Sequence, residues 1–239
     1  MESNVVVHRE LGHGLKVSAG PGFRFSEVDD VGLGWEEFAT LSFPAQLELD
    51  MSDDLLDPTR GFRLKLFLGP YWELLDMDTT FLKASATCSH YLPLFPKPSL
   101  MLATRGAIGG LWGAERDSVA PDLRFYAGGG GSVQGFPYQS VSPLRSKDKP
   151  IGGRSLVEVS AELRWKIADS LGIVTFIDGG GAFEPSFPDF SSTFRWGAGA
   201  GVRYYTPIGP LRLDMGVPIN RREGIDDWVQ IYVSIGQVF

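Results

Sequence analysis

Residues 155–165, SLVEVSAELRW, alternate without a break: Val157, Val159, Ala161, Leu163 and Trp165 fall on one side, Glu158, Ser160, Glu162 and Arg164 on the other. A period of two predicts a β-strand, because successive side chains leave opposite faces of the pleat. The rhythm returns over 195–205, where Trp196, Ala198, Ala200, Val202 and Tyr204 oppose Arg195, Gly197, Gly199, Gly201, Arg203 and Tyr205. Pro207 to Pro210 predict a turn; beyond it Leu211, Leu213, Met215 and Val217 oppose Arg212, Asp214 and Gly216, completing a hairpin. The last segment, 228–239, sets Val229, Ile231, Val233, Ile235 and Phe239 against Gln230, Tyr232, Ser234 and Gly236, which predicts a strand running to Phe239.

Upstream, Ala39, Leu41, Phe43, Ala45, Leu47 and Leu49 alternate with Thr40, Ser42, Gln46 and Glu48. Residues 50–61 turn the chain, and Phe62, Leu64, Leu66 and Leu68 then alternate with Arg63, Lys65 and Gly69. Less regular strands are predicted near 15–25, 79–91, 99–112 and 172–183. The sum is an all-β, antiparallel chain of about ten strands, mostly sequential hairpins, with no defensible helix. Residues 113–154 break the rhythm. They hold glycines at 128–131, 135, 152 and 153, four prolines and the charged run from Arg145 to Lys149, with Phe125, Tyr126, Phe136 and Tyr138 between them. Aromatics argue against disorder, and a loop this long is usually functional, so it is expected to fold back onto the rest.

Composition sharpens this picture at three points. Thirty glycines, sixteen prolines and 12% aromatic residues suit short strands joined by turns. A net charge of -7 argues against a nucleic-acid partner, which would need a basic face. No apolar run is long enough for a membrane-spanning helix, yet a mean hydropathy of -0.02 does not exclude a transmembrane barrel, whose strands alternate. Alternation alone fits a soluble β-domain with its apolar faces inward or a membrane barrel with those faces outward. Two features lean to the barrel: the polar faces carry opposite charges (Glu158, Glu162, Arg164, Arg203, Arg212, Asp214), and aromatics (Trp165, Trp196, Tyr204, Phe239) cluster near strand ends.

The segment FYAGGGGSVQGFPYQSVSPL, from Phe125 to Leu144, resembles the sixth extracellular loop of the BamA and TamA superfamily of outer-membrane assembly factors. DLLDPTRGFRL at 54–64, FIDGGGAF at 176–183 and GAGAGVRYYTPIGPLRLDMGVPI near the C-terminus are similar to other motifs of that superfamily, in its order, with the TamA branch nearer. The resemblance implies a bacterial outer-membrane location and identifies residues 1–239 as the C-terminal portion of a sixteen-stranded family barrel. On that reading the first strands, the POTRA domains and a signal peptide lie outside the chain. It implies insertion or translocation of unfolded outer-membrane proteins or autotransporters, no enzymatic step and no cofactor. Outer-membrane lipid is an implied partner, as is a TamB-like periplasmic protein acting through the POTRA domains. Strand 228–239 would supply one side of a weak seam, with Ile231, Val233, Ile235, Gly236 and Phe239 as seam and C-terminal signal.

In the family the loop tip docks in the lumen through an arginine that meets two acids. The matching docking residues here are Val133, Gln134, Gly135 and Phe136, with Glu162 and Asp178 as the acids. Gln134 stands where the arginine is expected and brings no charge, so Arg154, Arg164 or Arg203 is expected to compensate. Other chemistry is weakly signalled. Gly128–Gly131 lacks the Gly-Lys-Ser/Thr of a phosphate loop, no Gly-x-Ser-x-Gly occurs, and His8, His13, His90 and Cys88 form no ligand set. Asp53, Asp54 and Asp57 read as a solvated turn, and no metal site is expected. The competing readings are a passive pore or the barrel anchor of a fused patatin-like enzyme, and a soluble β-barrel binding module.

Overall fold

A computed structural model describes the chain except residues 1, 31–33, 77, 78, 97, 98, 147, 148, 191–193, 208 and 238. Lys147 and Asp148 of the charged run, and Val238 of the last predicted strand, therefore lie outside the described residues. The N-terminal part forms β1 (Glu2–Asn4), β2 (Val7–Gly12), β3 (Leu15–Ala19), β4 (Gly22–Asp30), β5 (Gly34–Ser42) and β6 (Ala45–Asp50). Three long strands follow, β7 (Gly61–Glu73), β8 (Thr80–Pro96) and β9 (Ser99–Trp112). The long loop contains a 3-10 turn (Pro121–Leu123) and the small hairpin of β10 (Leu144–Ser146) and β11 (Lys149–Pro150). The chain then completes the sheet with β12 (Ser155–Lys166), β13 (Leu171–Phe183), β14 (Arg195–Thr206), β15 (Gly209–Pro218) and β16 (Gln230–Ile235).

All but β10 and β11 belong to one antiparallel sheet: β1 pairs with β4, β2 with β3, β4 with β5, β3 with β6, and β5 and β6 with β7, after which each strand of the sheet neighbours the next. The pairs β1 and β2, β3 and β4, β5 and β6 are single strands interrupted where prolines lie side by side. Val5 donates to the Pro21 carbonyl, Gly20 to that of Pro44 and Phe43 to that of Pro70, so the break runs as a line across the N-terminal wall. Proline has no N–H for the ladder, which is why the line forms there. The pairing of β1 and β2 with β4 and β3 adds an N-terminal strand that the hydrophobic pattern did not reveal, since every residue of β2 is exposed.

The faces are inverted relative to a soluble protein. On β15 Leu211, Leu213, Met215 and Val217 are exposed while Arg212 and Asp214 are buried; on β12 Val159, Leu163 and Trp165 are exposed while Glu158, Glu162 and Arg164 are buried. Water would not leave one wall's leucines outside and its ion pairs inside; lipid outside and a polar interior would. A soluble module with a dry core is thereby set aside.

The long segment 113–154 and the 219–229 loop leave one end of the strands, the 51–60 and 167–170 connections the other. The ten-residue connection 51–60 caps itself: Asp53 accepts from the Thr59 and Arg60 amides, at 2.8 and 3.1 Å, and Asp54 from those of Leu56 and Asp57, at 2.8 and 2.9 Å. The Asp57 and Leu56 amides hold the Asp54 carboxyl below its ordinary value.

The C-terminus departs from the expected strand. Pairing stops at Ile235, Gly236 takes φ +88° while its N–H reaches the Pro210 carbonyl at 2.8 Å, and the chain turns inward. Phe239 packs against Tyr91, Met101 and Ala103, with the Arg164 guanidinium 5.3 Å from its ring centre, rather than on the outer face. Gln237 donates to Asp57 at 2.8 Å, linking the tail to the opposite side of the curled sheet.

Candidate functional site: the loop seated inside the barrel

Residues 113–154 enter the concave side of the sheet. The base is closed by reciprocal bonds between Phe125 and Gly153, of 2.9 and 2.8 Å, and Arg124 braces the interior by donating to the carbonyls of Val119 and Ile151. Val133, Phe136, Ala127 and Val141 form a small dry core of the loop itself. Gly135 lies so close to the Val217 backbone that a Cβ would collide, and its φ of +95° suits glycine alone. The tip thus rests directly on the wall.

Around the tip the polar contacts are dense. Gln134, 1% exposed, donates its backbone N–H to Asp178 at 3.1 Å and its side-chain amide to Asp214 at 3.3 Å. The Gly135 amide donates to the Tyr232 hydroxyl at 3.0 Å, and that hydroxyl donates to the Phe136 carbonyl at 2.8 Å. Ser132 donates to Glu158, which also pairs with Arg105 at 2.8 Å. Arg212 reaches the Gly130 carbonyl at 3.1 Å, and Arg222, in the 219–229 loop, the Ser140 carbonyl at 2.9 Å. Strands β12, β13, β15 and β16 and one further loop hold the tip, and Gly197 of β14 passes against the Gln134 backbone.

The cations named from sequence separate. Arg164 pairs with Glu162 at 2.8 Å, since two residues along a strand share a face. Arg203 instead pairs with Asp214, together with Arg212, because the register puts Arg203 opposite Arg212 and one diagonal from Asp214, while Asp178 opposes Gly197 further up the wall. Arg154 does not enter the site. It precedes β12, and the eight residues to Glu162 span about 26 Å of strand; its guanidinium donates to the Glu184 and Ala114 carbonyls, at 2.9 and 3.0 Å. Asp178 accepts from the Ser160 hydroxyl and the Gln134 amide.

A second contact region carries no sequence signal of comparable clarity. Val119, Ala120, Leu123 and Phe125 of the loop pack with Phe38, Tyr71, Phe81, Leu111 and Ala182 of the wall, where Tyr71 and Phe81 stack at 4.9 Å. Asp122 pairs with Arg24; Lys83 donates to the Leu123 carbonyl at 2.7 Å and lies 4.8 Å from the Phe125 ring centre. The lumen is therefore charged toward β12–β16 and, at the turn end, along β6–β9, where Glu48, Asp50, Arg63, Lys65 and Arg105 face inward; the apolar contact is confined to the loop end of β5–β9. The charges on β15 and Tyr232 on β16 were visible as alternating inward positions; the apolar contact was not, because its loop residues sit in an irregular, proline-containing stretch.

An antiparallel sheet with apolar outer faces, charged inner faces and a loop seated in its lumen defines a transmembrane β-barrel wall. The chain belongs to the Omp85 superfamily, whose domain matches residues 18–239. It is 30% identical over 201 residues to the outer membrane protein assembly factor BamA of Nitratidesulfovibrio vulgaris, covering 80% of this chain and 24% of that protein. It is 26% identical over 188 residues to a SAM50-like protein of Schizosaccharomyces pombe, covering 73% of this chain and 39% of that one. BamA from Haemophilus ducreyi lacking POTRA domains 1–3 superposes with a TM-score of 0.75 at 19% identity, over 96% of this chain and 53% of that structure. The chain thus spans between about a quarter and a half of these relatives. Its location is the bacterial outer membrane.

Proposed function

We propose that this barrel is the membrane part of an assembly factor that helps insert unfolded outer-membrane proteins, or translocate autotransporters, through its C-terminal edge. The carrying observation is β16. Among the described residues it pairs only with β15, and Ile231, Val233 and Ile235 are 66%, 79% and 63% exposed, against 43% and 48% for Leu211 and Leu213 on the paired strand next to it. An unpaired edge offers backbone donors and acceptors to an incoming strand, so a substrate strand can add to the sheet without any bond-making step. Gly236 ends the pairing early and keeps that edge short. The loop across the lumen supports this reading over a passive pore, which needs an open channel.

Within the same proposal, Val133, Gln134, Gly135 and Phe136 are the docking residues, with Asp178 and Asp214 as their wall partners. Arginines on the strands, Arg164 for Glu162 and Arg203 with Arg212 for Asp214, supply the positive charge that the tip lacks. The TamA-like branch, with a TamB-like partner reached through POTRA domains, rests on the C-terminal hairpin motif. A photo-crosslinking amino acid at Val233 should capture nascent outer-membrane strands in cells, while the same group at Leu213, on an equally lipid-facing but paired strand, should not. Equal capture at both positions would refute the edge as the working surface.

A further inference from the structure

The outer wall is not uniformly bulky. On β7, β8 and β9 the register aligns Leu66 with Ala86 and Ile108, and Leu68 with Ala84 and Gly110, so two outward rows narrow to alanine and glycine in the middle. Trp112 lies flat across Gly110, where a Cβ would overlap its indole, and Phe187 tilts onto that ring at 5.6 Å. Phe187 follows β13, and residues 185–188 lie against the outside of the wall. Ser155 records this: it is outward by alternation yet 0% exposed, its hydroxyl donating to the Pro185 carbonyl at 2.8 Å. The result is a groove of about 390 Å³ on the lipid side, floored by Ala84 and Ala86, walled by Leu66 and Ile108, and roofed at its loop end by Trp112 and Phe187.

We propose that this groove seats one acyl chain of a membrane lipid. The groove continues directly into the apolar belt of the wall, so the molecule that meets it in place is lipid. Among the described residues no charged side chain lines it, which leaves a methylene chain as the group that fits. Lipid tails are as apolar as the wall, so the site selects by close packing against a shaped surface and not by withdrawal from water. It holds a chain longer than the flat wall of β15 does, and it does so independently of any assembly role.

The test is native mass spectrometry of the protein purified in mild detergent and mixed with 1-palmitoyl-2-oleoyl phosphatidylethanolamine. One lipid per barrel should survive stripping of the detergent. Filling the floor with Ala84→Leu and Ala86→Leu should lower that retained fraction about tenfold, the factor that lost methylene contacts in a pocket are worth. Phe187→Ala, on a loop outside the sheet, should lower it in the same direction with the wall intact, and decides the matter if the filled variant does not fold. Leu213→Ala should leave it unchanged, and phosphatidylglycerol with the same chains should be retained equally well. Equal retention by the parent protein and Phe187→Ala, or retention that follows the headgroup, would overturn the assignment.

Discussion

The loop stands on two feet of opposite chemistry. Toward β12–β16 the tip is held by Asp178, Asp214, Tyr232, Glu158 and Arg212, groups whose partners are fixed in number and direction. Toward β5–β9 the base of the loop is held by Leu123, Phe125 and Val119 packed on aromatic rings, with Arg24 and Lys83 at the margin. Apolar burial is non-directional and scales with area, about 1.5–3 kcal/mol for a fully buried large side chain, so it anchors without setting a register. Buried ion pairs add little net stability but tolerate only one arrangement, because a stranded charge is expensive. One foot holds the loop in the lumen, and the other decides where the tip rests.

Removing the carboxylate shared by two arginines should break the polar foot most severely. Arg203 and Arg212 are 0% and 4% exposed, and among the described residues Asp214 is the carboxylate both pair with, so Asp214→Ala strands both. The expected loss is about 3–5 kcal/mol, read as a lower urea midpoint for the barrel's folded electrophoretic form. A loss below about 1 kcal/mol would mean that water solvates these guanidinium groups and the lumen there is wet.

On the apolar foot, Leu123→Ala should cost about 2–5 kcal/mol, toward the lower end if the loop collapses into the space. Its distinguishing mark is insensitivity to salt, since no charge is removed, whereas variants of the Arg24–Asp122 pair, whose side chains are 27% and 45% exposed, should respond to ionic strength. If Leu123→Ala becomes salt-dependent, the two feet are coupled and the division drawn between them fails.

The finest test exchanges charge at the tip. Gln134→Arg puts a larger, charged group into a fully buried place next to an Asp214 that already holds two arginines, and should destabilise by about 1–3 kcal/mol. Combining it with Arg212→Gln removes the excess cation and should recover most of that loss, a coupling that the double-mutant cycle measures directly. Simple additivity would show that Gln134→Arg turns to Asp178 instead.

Much of the fold was legible in the chain. Clean alternation located β12, β14 and β15 almost to the residue, and it assigned Glu158, Glu162, Arg164, Arg203, Arg212 and Asp214 to one face, because period two is a local property of the pleat. The interrupted strands before β7 were less legible, since prolines shift the alternation and β2 has no buried face. The last strand was overextended because the pattern through Phe239 is regular in sequence, whereas the left-handed turn at Gly236 is fixed by its bond to Pro210.

Sequence by itself determined most of the strands from β5 onward, their hairpin order, the composition of each face and the segment that forms the loop, all of which depend on neighbours a few residues apart. It left open which face meets lipid, which arginine meets which carboxylate, and that the loop has an apolar foot. Those were decided only by tertiary structure, because they depend on the curl of the sheet, which brings Asp57 to Gln237, Leu123 to Phe81 and Gln134 to Asp214 across distances that no local pattern records.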